Sequence, residues 1–355
     1  MTLLLNTINQ PSLINDFNTK DWELLIRQAR SAQLLSYLAN LLSKNNDIEI
    51  PFKAKQHLQA AVVFSKKQKL NVTAECDRIS KILSEIGIKS VFLKGAAYAL
   101  IQLPLSDHRL LSDIDIMIEK STLPDAETAL FNHGWFAELL TDYDNMYYRK
   151  WSHEIPPLKH VKRQTVLDLH HNILPITTIN SHIEESVLHS NLVPINNSQY
   201  IYVLPSHLML IHSAAHLFYE SEFNKGLRDL IDIKEMFLLF SSKDDDYCNK
   251  LMNYAKELGL ERTLFYATRY IEHVLNCEIP SNLKIKLLPY APSRAVLFLM
   301  DFSFKNIFIP FHTSCNTKSF GISKTILYWR GHLLRMPLRL LVPHLTRKFF
   351  MQLKS

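Results

Sequence analysis

The segment VFLKGAAYALIQLPLSDHRLLSDIDIMIEK, residues 91–120, constrains the fold more than any other part of the chain. It begins with a short apolar run, which predicts a buried strand, and AAYALIQL then predicts a helix. DIDIMI alternates polar and apolar residues, and this period of two predicts a strand with one polar and one apolar face. The segment therefore predicts an α/β unit.

Helical patterns lie on both sides of this unit. Residues 20–44 and 52–86 carry apolar positions at helical spacing, and helical patterns return from about 178 to 310. After Gly134 come four strand-like runs: WFAELL, NMYYRKW, HEIPPLKH and TVLDLHHNI. The sequence predicts an α+β fold, a short mixed β-sheet core with N- and C-terminal helical segments. We expect four regions: 1–86, helical; 87–177, the α/β core; 178–311, helical; and 312–355, a basic apolar tail.

The alternating strand places two carboxylates together. Asp113 and Asp115 are two residues apart and point to the same face, roughly 7 Å apart along the chain. Like charges on one face of a strand repel each other, and a cation between them relieves the repulsion. Hard cations such as Mg²⁺ prefer carboxylate oxygens. A solvated edge strand is the alternative interpretation.

A third acid lies in the later run TVLDLHHNI, where Asp168 shares one strand face with Val166 and His170. Three carboxylates from two neighbouring strands predict a two-metal site for Mg²⁺ or Mn²⁺. Such a site activates an attacking oxygen and stabilises the leaving oxygen of an in-line displacement at phosphorus. Asp168 as an ion-paired or helix-capping residue is the alternative.

The segments FLKGAAYA, RLLSDIDIMI, LDLHHNI and LPSHLMLIHSAAH…GLRDLIDI carry a resemblance. A glycine turn after a buried strand, a helix, D-x-D on the next strand and a later single aspartate are similar to the nucleotidyltransferase fold of the DNA polymerase β superfamily. More narrowly, the K-G, R-x-x-x-D-I-D and D-x-H patterns resemble a bacterial family of uncharacterised nucleotidyltransferases. The resemblance covers roughly residues 20–270.

The resemblance implies roles for the acids. Asp113 and Asp115 would bind both metal ions, and Asp168 would hold the catalytic one and help to deprotonate the acceptor hydroxyl.

It also implies a nucleotide-binding set of Lys94, Gly95, Ala96 and Arg109. Gly95 would let the backbone approach the triphosphate, while Lys94 and Arg109 would neutralise phosphate charge. Ion pairs of Lys94 and Arg109 with nearby acids are the equal alternative. Many superfamily members have Gly-Ser or Gly-Gly at this turn, whereas this chain has Lys94-Gly95-Ala96 and offers no hydroxyl there.

Two further residues are candidates for the acceptor side of the site. His170 is predicted to bind the acceptor or to support the carboxylates, with a structural histidine as the equal alternative. Arg228, with Asp229 and Asp232, predicts an ion-pair network on a helix that faces the cleft or the solvent.

The net charge of +6 arises in the tail, because residues 302–355 hold nine Lys or Arg and no Asp or Glu. The tail could contact nucleic acid or the nucleotide, lie on an anionic membrane surface, or pack its apolar side chains on the helical region. No apolar run reaches the roughly 18 residues that a membrane span needs. The N-terminal residues lack the pattern of a signal peptide, so we expect a cytoplasmic protein.

Together these features predict a metal-dependent nucleotidyltransferase that binds ATP or another NTP. It would transfer NMP to an acceptor hydroxyl and release pyrophosphate. The acceptor stays open between protein, RNA and small molecule. A non-catalytic nucleotide- or RNA-binding protein on the same fold is the alternative, and an interaction protein driven by its basic tail is a third.

Overall fold

The computed structural model describes residues 2–45, 48–137, 141–178 and 183–352. In these residues, helices surround one seven-stranded mixed sheet, which confirms the predicted α+β fold. The chain begins with four helices, of which the last is the longest in the described chain. They are α1 (Leu3–Asn9), α2 (Thr19–Ser31), α3 (Leu35–Ser43) and α4 (Phe52–Glu85).

The sheet has the strand order β3-β4-β5-β2-β1-β7-β6. Its strands are β1 (Ser90–Phe92), β2 (Ile114–Met117), β3 (Trp135–Ala137), β4 (Leu158–His160), β5 (Val166–His170), β6 (Val193–Pro194) and β7 (Ile201–Val203). Strand β2 pairs parallel to β5 and β1 pairs parallel to β7, whereas the other neighbours are antiparallel. The central strand, β2, and its neighbour β1 are the ones that the opening segment of the sequence predicts.

Four helices connect these strands, and eight follow them. The connecting helices are α5 (Lys94–Leu100), α6 (Leu123–Asn132), α7 (Asp142–Trp151) and α8 (Glu185–Ser190). The later helices are α9 (Ser206–Tyr219), α10 (Gly226–Ser241), α11 (Tyr247–Glu257), α12 (Glu261–Leu275), α13 (Ser281–Leu287), α14 (Arg294–Ile307), α15 (Lys318–Arg335) and α16 (Leu338–Gln352). Helix α10 packs against α9 and α12.

The structure corrects three expectations. The run NMYYRKW lies in helix α7 and is not a strand, because Thr141 caps the helix by accepting a hydrogen bond from the backbone N–H of Asp144. Strand β2 is buried on both faces, so its polar face is not solvated.

The sheet extends past residue 177, since β6 and β7 join it. The predicted strand over 135–140 is observed at Trp135–Ala137, and residues 138–140 lie outside the described residues. The division into four regions stays a prediction.

Part of the basic tail is built into the helical region through α15. A β-carbon at Gly331 would lie 2.5 Å from the backbone oxygen of Glu220, so α15 approaches the end of α9 more closely than a larger residue allows. Arg330 donates a hydrogen bond to the carbonyl oxygen of Phe218 at 2.6 Å and lies over the ring of Tyr266. Packing therefore accounts for this arginine, whereas the other expected contacts of the tail stay predictions. Across the described residues, none of the helices has the length and apolar character that crossing a membrane requires.

Candidate functional site

Two of the predicted acids lie side by side on neighbouring strands of the sheet. In the parallel pairing of β2 with β5, Asp115 lies opposite Asp168. Hydrogen-bonded strands are about 4.8 Å apart, and partners in register point to the same face. The sheet therefore brings these two carboxylates side by side, although they are 53 positions apart in the sequence.

Asp115 is paired with a lysine and a histidine. Its Oδ1 atom lies 2.9 Å from Nζ of Lys94 and 3.1 Å from Nε2 of His170. Burial alone would raise the pKa of Asp115, but the charge of Lys94 and the hydrogen bond from His170 outweigh burial and hold this pKa well below its ordinary value. Burial likewise favours the neutral forms of Lys94 and His170, yet their partners raise both pKa values. Asp115 is thus a carboxylate at neutral pH.

Asp168 has no such compensation. Its Oδ1 atom is buried and has no hydrogen-bond partner among the described residues. Burial raises the pKa of Asp168 to about 7, and the negative charge of Asp115 adds to the effect, while His170 opposes it only in part. Two aspartates in the same register therefore differ in charge near neutral pH.

Lys94 adopts a strained backbone conformation at the start of α5. Its φ angle is +43°, in the left-handed region that residues with a β-carbon rarely occupy. Such a conformation costs on the order of 1–3 kcal/mol and persists where the surroundings hold it. The ion pair with Asp115 is one contact that holds it here.

Helix α10 supplies the opposite wall of the site. Nε of Arg109 donates to Oδ2 of Asp232 at 2.6 Å, and Nη2 of Arg228 donates to Oδ1 of Asp229 at 2.7 Å. Both arginines are therefore held by carboxylates of α10. The ion-pair network predicted for Arg228, Asp229 and Asp232 is observed and also includes Arg109. Unlike a solvent-exposed network, this one is largely buried.

Gly95 serves the packing of that wall. A β-carbon at Gly95 would lie 2.5 Å from Nη1 of Arg109 and 2.8 Å from Cδ2 of Leu111. The glycine therefore allows the guanidinium group of Arg109 to lie directly against the start of α5. The group that approaches Gly95 closely in this structure is thus the side chain of Arg109, whereas the expected approach of a triphosphate stays a prediction.

A cavity of about 80 Å³ lies between the two walls and opens to solvent. Its lining brings together most of the predicted residues, with equal numbers of cationic Lys or Arg and anionic Asp side chains. The lining residues are Lys94, Gly95, Tyr98, Arg109, Asp113, Asp115, Ser213, His216, Lys225, Arg228, Asp229 and Asp232. Asp168 and His170 lie outside this lining and adjoin it through Asp115. Ala96 is buried and packs into the core.

Sequence reasoning missed two charged residues of this site. Lys225 lines the cavity just before α10, and within the described chain it forms no ion pair. The sequence feature that could have indicated Lys225 is its position directly before Gly226, where α10 begins. Glu154 lies 3.4 Å from Nδ1 of His170 through Oε2. Its segment was predicted only as a strand.

The predicted divalent cation fits the acids of this site. Asp113 and Asp115 line the cavity, and the buried Oδ1 atom of Asp168 has no partner in the described part of the chain. Carboxylate oxygens are the ligands that Mg²⁺ prefers. A cation near Asp168 would offset the cost of its buried charge and its repulsion by Asp115.

Comparison with protein-family models gives a match. A family model described as "uncharacterised nucleotidyltransferase" matches residues 18–276, almost three quarters of the chain. The matched range contains the sheet, the cavity-lining residues and helix α10. Searches of the curated proteins and of the solved structures found no match.

Proposed function

The chain belongs to this family of uncharacterised nucleotidyltransferases, and from that premise we propose that it transfers NMP from an NTP to an acceptor hydroxyl, releasing pyrophosphate. The observation that carries the proposal is the side-by-side placement of Asp115 and Asp168, with one neutralised and the other uncompensated. Such a pair separates two tasks, because one carboxylate stays charged while the other exchanges a proton near neutral pH.

The two carboxylates take different roles in this proposal. Asp115, with Asp113 beside it, faces the cavity as a fixed negative group. Asp168, which lies beside the cavity in register with Asp115, accepts the proton of the attacking hydroxyl. A general base is most effective when its pKa lies near the working pH, and without a bound cation the pKa of Asp168 is about 7.

The cations of the cavity bind the triphosphate. Lys225 is available to a phosphate oxygen, since it has no ion pair in the described residues. Lys94 and Arg109 add positive charge, although each also holds a carboxylate. The preformed pairs keep these cations in place, so little side-chain freedom is lost when the nucleotide binds.

Asp113, Asp115 and Asp168 would hold the divalent cation, Mg²⁺ or Mn²⁺, which when bound stabilises the charge that develops on the phosphoryl oxygens and the leaving pyrophosphate. The protein side chains meanwhile orient the nucleotide and exclude water from the buried face of Asp168.

The experiment is a transfer assay with each of the four NTPs labelled at the α-phosphate. Purified protein is incubated with Mg²⁺ or Mn²⁺, with and without cell extract, and label transfer and pyrophosphate release are followed. We expect one nucleotide to label one acceptor class. Asp113→Asn should lower transfer by at least about 100-fold, as expected for a group that acts on the transition state.

The matched control is Asp125→Asn. Asp125 also belongs to an acidic-x-acidic pair, but it is exposed in the first turn of α6. This variant should retain full transfer. Saturable Mg-NTP binding without transfer to any acceptor would favour a non-catalytic nucleotide-binding protein, and transfer that Asp113→Asn retains would contradict the proposed mechanism.

A further inference from the structure

A second group of potential metal ligands lies next to the carboxylates and is distinct from them. Among the described residues, one set of three side chains places ligand atoms within 4.8 Å of one another, and it consists of His153, Glu154 and His170. The set contains two imidazoles and one carboxylate. We propose that these three residues form a binding site for a divalent transition metal ion, for which Zn²⁺ is the best fit.

Two buried nitrogen atoms carry this proposal. Nδ1 of His153 and Nδ1 of His170 are both buried, and neither has a hydrogen-bond partner among the described residues. A buried polar atom without a partner costs about 1–3 kcal/mol, so native structures rarely leave two of them side by side. A metal ion that accepts both lone pairs would satisfy them together.

The distances agree with one ion between the ligands. Nδ1 of His170 lies 3.4 Å from Oε2 of Glu154, and the contact lacks the geometry of a hydrogen bond. Two ligands at 2.0–2.2 Å from a tetrahedral Zn²⁺ lie about 3.3–3.6 Å apart. The rings of His153 and His170 are 5.2 Å apart between centroids, and the ligand atoms of all three residues lie within 4.8 Å of one another, so the third ligand is close to the same point.

The sheet holds these ligands in place. Glu154 forms an antiparallel bridge with His170, and the N–H of Ile155 donates to the carbonyl oxygen of Leu169 at 3.0 Å. The backbone oxygen of His153 accepts from the N–H of His171 at 2.8 Å. The ligand-bearing segment is thus fixed to the end of β5 by its backbone. His153 and Glu154 are half-buried, which leaves a path for the ion to enter.

The other nitrogen of His170 supplies the support that metal-bound histidines usually have. Its Nε2 atom lies 3.1 Å from Oδ1 of Asp115. A metal-ligating histidine almost always donates its second N–H to a carboxylate, a carbonyl or water, which fixes its tautomer. Asp115 would therefore face the nucleotide cavity and also orient a ligand of the second site. The donor chemistry differs from that of Asp113, Asp115 and Asp168, because imidazole nitrogen selects Zn²⁺ over Mg²⁺.

The experiment measures metal binding and needs no knowledge of the acceptor. Tag-free protein is stripped with a chelator and titrated with Zn²⁺ against a chromophoric competitor, in excess Mg²⁺. We expect one Zn²⁺ per chain, not displaced by Mg²⁺, and a tetrahedral absorption spectrum when Co²⁺ replaces it. Loss of an outer partner weakens metal affinity 10–100-fold, so loss of a direct ligand in His153→Ala or Glu154→Gln should weaken it by at least about 100-fold.

His133→Ala is the matched control, because His133 is an exposed histidine outside the set. It should bind Zn²⁺ as the unchanged protein does, and circular dichroism checks that all variants fold. Three results would overturn the proposal: no saturable Zn²⁺ binding, binding that both ligand variants retain, or displacement of Zn²⁺ by Mg²⁺. None of them depends on whether nucleotidyl transfer is observed, so this proposal and the proposed function can fail separately.

Discussion

Strand β2 around Asp115 and strand β5 around Asp168 present the same side chain in the same register and in opposite electrostatic states. Asp115 touches Lys94 and His170, so it stays ionised although it is buried. Asp168 is also largely buried, but its Oδ1 atom has no partner among the described residues, and its pKa is about 7. The difference teaches that position on a strand sets where a carboxylate points, whereas its neighbours decide whether it is charged.

The largest expected effect is the removal of the compensated charge. Asp115→Asn leaves the largely buried ammonium group of Lys94 without its anion and His170 without a charged acceptor, and breaking a buried ion pair costs about 3–5 kcal/mol. Urea denaturation at pH 7 measures the loss in the free energy of unfolding. Asp113→Asn, two residues away and only partly buried, is the control and should stay within about 0.5 kcal/mol. Equal stabilities of the two variants would contradict the role of Asp115 as the centre of the buried charges.

The second prediction concerns a variant in which Asp115 loses its main cationic partner and becomes electrostatically similar to Asp168. Lys94→Met removes the charge that lowers the pKa of Asp115, so burial should then raise this pKa. We expect a loss of about 3 kcal/mol in stability at pH 8, because a buried carboxylate loses its main partner. The loss should be smaller at pH 4, where Asp115 can be protonated. Denaturation curves at both pH values test the sign.

Lys225→Met is the control for this change, because it removes a cavity lysine that has no ion pair in the described residues. Its stability should change by no more than about 0.5 kcal/mol at either pH. If Lys94→Met lost more stability at pH 4 than at pH 8, the compensation of Asp115 by Lys94 would be refuted.

The third prediction concerns the uncompensated acid. Because the pKa of Asp168 is about 7 in the folded protein and about 3.9 in an unfolded chain, the folded state binds more protons between these values. Asp168 therefore lowers stability as the pH rises from about 4 to 7. Asp168→Asn should remove this pH dependence and raise stability at pH 8 by about 2–4 kcal/mol, where the upper figure is the full value of a shift of about three pKa units, with loss of transfer activity. Thermal denaturation from pH 4 to 8 measures it, and a destabilised variant at pH 8 would show that Asp168 has a partner there.

The smallest expected effect is the stabilisation of the folded protein by added Mg²⁺. If Mg²⁺ compensates Asp168, it should stabilise the unchanged protein at pH 8 by about 1.4 kcal/mol at ten times its Kd. The gain should fall in Asp168→Asn and persist in Asp125→Asn. Melting curves with and without Mg²⁺ compare the three proteins. A gain that Asp168→Asn retains in full would place the cation elsewhere.

Part of this site could be predicted because it depends on local periodicity. The alternation in DIDIMI and TVLDLHHNI placed Asp115, Asp168 and His170 on polar strand faces, and the structure aligns those faces in one sheet. The prediction of α7 as a strand was wrong, because aromatic residues favour strands while the cap at Thr141 specifies a helix start. The cap was visible in the sequence and carried more weight than the aromatic pattern.

The sequence by itself determined the elements around the site, because these depend on residues close together along the chain, and it determined the family through a match over residues 18–276. Only the tertiary structure decided that Asp115 stands opposite Asp168, that Arg109 meets Asp232 and that Glu154 meets His170. The reason is physical: strand register and helix packing are set by pairing between distant segments. A pKa, in turn, depends on burial and on neighbours that such pairing brings together.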